Sequence, residues 1–241
     1  MTVSGDDRLV GNREALCDHG RADARATLCA VAGEAVRAVH PTETVPRHLD
    51  RAGSTLRVDD AVYDLAEVET HLLAVGKGAG AVASAVTEVL GDHLADGIIV
   101  GKHGESTDLD DRFESYTAGH PIPDEAGATA AARVRSWADA RDESDLVVAC
   151  ITGGASALLP APAGDVTLSD LAAVTDALLS AGAPIEDVNA VRKHLSTLKG
   201  GRLADLVAPA SLLTLVVVDE VAGDPWGPTV PDDSTFEEAV D

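Results

Sequence analysis

Of the 18 lysines and arginines in this 241-residue chain, only four are lysine, at positions 77, 102, 193 and 199. Such scarcity makes each remaining lysine a candidate for a specific task, with a surface ion pair as the alternative for Lys102. Aromatic residues are also few, at 2%. The three cysteines, Cys17, Cys29 and Cys150, are odd in number and lack C-x-x-C spacing. Neither a disulfide framework nor a zinc site is indicated, and buried small apolar side chains are expected. No apolar run approaches the roughly 20 residues of a membrane span. Residues 1–12 are polar and acidic, without the apolar segment of a secretory signal. A soluble, cytoplasmic protein is expected.

Positive charge is the largest deficit: 41 acidic residues face 18 basic ones, a formal charge of −23. That sign repels nucleic acid and anionic membranes, so both are excluded as partners in favour of small molecules. The acidity, the alanine-rich segments and the low aromatic content fit adaptation to a high-salt, halophilic cytoplasm. The length suits one large α/β domain or two small ones.

What is present centres on Gly76-Lys77-Gly78-Ala79-Gly80, between the apolar run 72–75 and the alanine-rich segment 81–90. An apolar run that stops at glycines and resumes with helical spacing reads as strand, tight turn and helix. A turn of this kind aims unpaired helix N–H groups at an anion, and Lys77 adds a mobile cation. It is not a P-loop, because His71 and Gly78 stand where glycine and Ser or Thr are needed, and Ala81 breaks G-x-G-x-x-G. Anion binding and mere close packing of helix on strand both remain open for it.

The rest of the chain alternates. Residues 12–39 carry helical spacing that stops before Pro41, 42–54 reads as a loop, and 56–58 with 62–65 form a small edge hairpin. Strands are expected at 97–101, 114–118, 146–151 and 212–218. Helices are expected from the Asp124-Glu125 cap through Trp137, over 168–180, over 185–198 after Pro184, and from near Ser234. Strands alternating with helices predict a doubly wound, largely parallel Rossmann-like sheet with helices on both faces. Ligands then gather beyond the carboxyl ends of its strands, at the turns after Val75, Ile151 and Val218.

Four segments carry a resemblance: 75–83; Gly119-His120-Pro121-Ile122-Pro123-Asp124-Glu125-Ala126-Gly127; Gly153-Gly154-Ala155-Ser156-Ala157-Leu158-Leu159; and the Asn189–Ala204 block with Arg192-Lys193-His194-Leu195-Ser196 and Lys199-Gly200-Gly201-Arg202. Together they resemble the class II glycerate 2-kinases over about residues 12–241. The resemblance implies ATP-dependent phosphorylation of D-glycerate to 2-phosphoglycerate with Mg²⁺, in a cleft between a Rossmann-like N-terminal domain and a smaller C-terminal one. Residues 1–241 look like the first domain alone, with a C-terminal domain or a second copy of the chain as the expected partner. Two segments depart from the pattern. Thr152-Gly153-Gly154-Ala155-Ser156 stands where the family tends to have Ser-Gly-Gly-Gly-Ser, and Gly223-Asp224-Pro225 is nearly fused to Gly227-Pro228-Thr229.

Phosphoryl transfer needs positioning and positive charge against the phosphates. Lys77, Arg192 and Asp219 are the expected catalytic residues. Gly76, Gly78, Gly153, Gly154, Ser156, His120, Lys199 and Arg202 are expected to bind substrate or nucleotide. Asp219 and Asp224 are the expected Mg²⁺ ligands. On a helix, Arg192 and Lys199 would share a face while Lys193 points about 100° away; either set could serve the site. The acid is glycerate or a related hydroxy acid. A catalytically inactive glycerate-kinase-like binding domain is the alternative, and a nicotinamide oxidoreductase, lacking the dinucleotide fingerprint, is a third.

Overall fold

The computed structural model describes residues 9–105, 107, 109–217 and 227–240. At its centre lies a five-stranded parallel sheet in the order β6-β5-β4-β7-β8. Its strands are β4 (Glu69–Val75), β5 (Leu94–Lys102), β6 (Phe113–Ala118), β7 (Asp145–Thr152) and β8 (Ser211–Val217). In β7 every residue is buried, and in β4 every residue after Glu69, as strands covered on both faces require. Their side chains alternate between two cores. Leu72, Ala74, Val148 and Cys150 face α4 (Ala79–Leu90). Leu73, Val75, Val147 and Ile151 face α5 (Glu125–Ala138), α6 (Ala155–Leu158) and α9 (Arg202–Val207). The doubly wound α/β fold with helices on both faces is therefore present.

The expected hairpin is β2 (Thr55–Val58) with β3 (Ala61–Asp64), and β1 (Asp50–Ala52) adds a third antiparallel strand. Leu56 and Val58 close the α4 side of the core. Helices α7 (Leu168–Ala181) and α8 (Ile185–His194) precede α9, and α10 is Phe236–Val240.

Four expectations require correction. The helix over 12–39 is two, α1 (Arg13–Cys17) and α2 (Ala22–Ala38), because Gly20 takes φ +61 and turns the chain between them. Residues 42–54 are not a loop. Pro41 opens α3 (Pro41–His48), where its missing N–H costs nothing, and Val45 and Leu49 anchor that helix in the core. Cys150 is buried, but Cys17 and Cys29 are only half-buried. Finally, α8 ends at His194 rather than 198. The chain after it is strapped to 161–163: the Thr197 N–H donates to the Ala161 carbonyl (2.8 Å) and the Ala163 N–H to that of Leu195 (3.1 Å).

Among the described residues, no helix is long and apolar enough to cross a membrane. At the amino edge of the sheet the buried His71 lies 3.1 Å from both Asp96 and Asp145. Burial opposes its protonation, but the two carboxylates prevail and hold its pKa above the ordinary value.

Candidate active site

From β4 the chain moves outward through β5 to β6, then returns across the sheet to β7 on the other side of β4. The order reverses between β4 and β7, which opens a crevice beyond their carboxyl ends. The two glycine turns meet there. The Lys77 N–H donates to the Gly153 carbonyl at 2.8 Å, and the Gly78 N–H to Oγ1 of Thr152 at 3.0 Å. Gly76 has φ +129, and a Cβ on it would stand 2.1 Å from Oγ1 of Thr152, so only glycine lets the turns touch.

These contacts change the expected role of the first turn. The Gly76 and Ala79 N–H groups donate to Val100 and Gly76 carbonyls, at 3.0 and 3.1 Å. With Lys77 and Gly78 also engaged, Gly76 to Ala79 offer no unpaired N–H to a ligand. What the turn presents is the Lys77 side chain, exposed on the wall of a cavity of about 430 Å³ with Gly78, Glu105, Thr107 and Tyr116.

The second turn lets side chains converge. Gly154, the cap of α6, has φ +93, and a Cβ there would meet His120 Cδ2 at 2.9 Å and Lys77 Cγ at 3.1 Å. One on Gly153 would lie 3.5 Å from Lys77 Cε. Lys77, on the turn after β4, and His120, on the loop before α5, therefore lie over bare backbone. Partial burial, then Lys77, Lys102 and Arg192, hold the His120 pKa below its ordinary value, so its imidazole is neutral at neutral pH.

The remaining cations divide. Lys193 pairs with Asp232 at 3.0 Å. Nη1 of Arg202 donates to the Lys193 and Lys199 carbonyls, at 3.1 and 2.8 Å, tying the turn after α8. Lys199 does not share a helix with Arg192, yet both line one small pocket with Ser156. Nζ of Lys199 donates to the Leu159 carbonyl at 3.2 Å. Burial, reinforced by Arg192, lowers its pKa to about 7. Arg192 donates through Nη2 to Asn189, and its buried Nε has no partner among the described residues. Ser156 and Lys199 also line a second cavity of about 70 Å³ with Asn189, Lys193, Gly227 and Pro228.

Asp219 and Asp224 lie outside the described residues, as does the 223–226 part of the 223–231 loop. Among the described residues no group of three or more His, Cys, Asp or Glu is placed to hold a metal ion. Sequence reasoning passed over Thr152, Asn189 and Asp232. Thr152 had a signal, standing between a buried strand and two glycines. Asn189 had one too, three residues before Arg192 on the same helix, whereas Asp232 had none, since its partner Lys193 is 39 residues away.

Residues 27–241 match the profile of a family described as DUF4147, a domain of unknown function. This chain belongs to the DUF4147 family. The matched span of this DUF4147 chain includes both glycine turns, His120 and the 192–202 cations. A Thermotoga maritima protein named D-glycerate 2-kinase is 45% identical over 174 residues, 70% of this chain and 42% of that protein. A solved Pyrococcus horikoshii structure superposes with TM-score 0.79 at 34% identity, covering 90% of this chain and 49% of its own. A solved glycerate kinase from Thermotoga maritima gives TM-score 0.73 at 38% identity, covering 88% and 49%. The DUF4147 chain thus spans less than half the length of these relatives.

Proposed function

We propose that this DUF4147 domain supplies the phosphate- and acid-binding half of an ATP-dependent D-glycerate 2-kinase. The observation that carries the reading is the convergence of Lys77 and His120 over Gly154 at the switch point, in a chain similar to proteins named glycerate kinase. The γ-phosphoryl group passes from ATP to the 2-hydroxyl of the acid: the hydroxyl oxygen bonds to phosphorus, the bond to the β-phosphate oxygen breaks to release ADP, and the hydroxyl proton passes to the neutral His120 imidazole. Lys77, mobile and exposed, sets positive charge against the equatorial oxygens of the phosphoryl group. His120, neutral, accepts the hydrogen bond of the attacking hydroxyl. Glycine at 154 removes the Cβ that would crowd both side chains.

The cavity beside Lys77 has the size and the cation that a nucleotide phosphate tail asks for. Mg²⁺, where bound with ATP, would supply positive charge to the reaction, and one or two protein carboxylates would hold it. Asp219 and Asp224 remain the candidates for that task, at or just beyond the carboxyl end of β8 in the chain. The second half of the cleft comes from the remaining length seen in the relatives, or from a second copy.

Glycerate-dependent ADP formation tests the reading in a protein of the relatives' full length. Turnover is expected with D-glycerate and none with glycerol. Phosphorylation by residues 1–241 alone would remove the alternative of ligand binding without catalysis. Absence of turnover in the full-length form would overturn the kinase assignment.

A further inference from the structure

Among the described residues, buried charge is otherwise compensated. His71 sits between Asp96 and Asp145, and Arg141 reaches the same two carboxylates at 3.9 Å. Arg192 and Lys199 break that pattern. Lys199 is 9% exposed, its ammonium meets one carbonyl, and Arg192 leaves a buried Nε unpartnered. No carboxylate among the described residues pairs with either. Two adjacent cations taken out of water without a counterion among the described residues are costly, and an arrangement of that kind suits an anion that arrives from outside.

The charged neighbours are already committed. On α8, Lys193 faces Asp232, whose carboxylate also accepts from Ser234. On α9, Arg202 is bound to two carbonyls. The pocket shared by Arg192, Lys199 and Ser156 is walled by Pro121, Pro160 and Leu171 and has a volume of about 10 Å³, roughly the room of one water. A nucleotide phosphate chain does not fit there. One oxygen of a carboxylate presented from the adjoining 70 Å³ cavity, which Ser156 and Lys199 also line, fills that room and meets the Arg192 guanidinium and the Lys199 ammonium.

We infer that Arg192 and Lys199, with the Ser156 hydroxyl, form a carboxylate subsite separate from the Lys77 turn, which seats the acid end of the hydroxy-acid substrate. Its identification with glycerate rests on the kinase reading; the anion site itself does not. Because Lys199 is half-neutral near pH 7 when the site is empty, the arriving carboxylate draws a proton onto it. Binding is therefore linked to proton uptake above neutral pH.

The four lysines make this directly observable. In the 241-residue chain labelled with ¹³C at lysine Cε, single Lys→Arg substitutions assign each signal, and each titration is followed without ligand and with saturating D-glycerate, glycerol or ATP. The Lys199 signal is expected to titrate near neutral pH in the free chain. With D-glycerate its midpoint should rise by one pH unit or more, while glycerol and ATP leave it in place. Arg192→Gln should abolish that rise; the wild-type titration stands alone if this variant does not fold. A Lys199 midpoint indifferent to D-glycerate overturns the subsite, and one moved by ATP but not by D-glycerate overturns its carboxylate assignment. No turnover enters the readout. A chain inactive as a kinase can thus retain the subsite, and an active one can lack it.

Discussion

Gly76 and Lys199 set the two requirements of the site at the residue scale, close backbone approach and uncompensated positive charge. A Cβ at 76 would be forced against Oγ1 of Thr152 at 2.1 Å and hold φ +129. Backbone strain of about 1–2 kcal/mol and overpacking of about 1–3 kcal/mol add, so Gly76→Ala should destabilise by about 2–5 kcal/mol in denaturant unfolding. Lys199 works in the opposite direction. Its unfolded pKa is about 10.4 and its folded value about 7, so between them the unfolded chain holds more protons and stability rises with pH. The cost of burying the cation is complete below about 7 and gone above about 10.4. Lys199→Met should therefore raise the melting temperature of the ligand-free chain, more at pH 6 than at pH 9.5. Equal melting of the two chains at pH 6 would contradict this. Lys77 was legible in the sequence because its significance is local, a cation inside a glycine turn. The pairing of Lys199 with Arg192 was legible only through a helix that does not exist, because their proximity comes from the strap between 161–163 and 195–197.

Helix and strand boundaries show where local chemistry suffices. The strands of the sheet read directly as short apolar runs, since β4 and β7 are buried on both faces and need no alternation. Asp124 was legible as a cap, and its Oδ1 accepts from the Gly127 N–H at 2.9 Å, while Oδ2 lies 2.7 Å from His103. Asp124→Ala should lower stability by about 1 kcal/mol, readable as a shift in unfolding midpoint. It should also loosen the His120 loop that precedes α5. Pro41 was misread because the same residue that stops one helix begins another, and which it does depends on the core contacts of Val45 and Leu49. The break at Gly20 was missed for a related reason. A single glycine interrupts helical spacing without erasing it, and α2 has no buried residue to fix its phase.

The whole molecule sets the site by topology and the surroundings by charge. Reversal of strand order between the parallel strands β4 and β7 brings residues 77, 120 and 154 together, a consequence of topology that spacing along the chain does not reveal. A formal charge of −23 repels itself in the compact state, and salt screens that repulsion over a Debye length of about 10 Å at 0.1 M. The melting temperature should therefore rise as potassium chloride is added, and a flat or falling response would contradict self-repulsion as a limit on stability. Lys77 lies exposed in this field as the cation nearest His120 at the crevice. The most direct test is the rate of glycerate-dependent ADP formation by the full-length protein and its Lys77→Ala variant, both with wild-type circular dichroism. Loss of one charge-stabilising group predicts a fall of about 10²–10³ in kcat; turnover within about twofold of wild type would contradict the assignment of this crevice as the phosphoryl-transfer site.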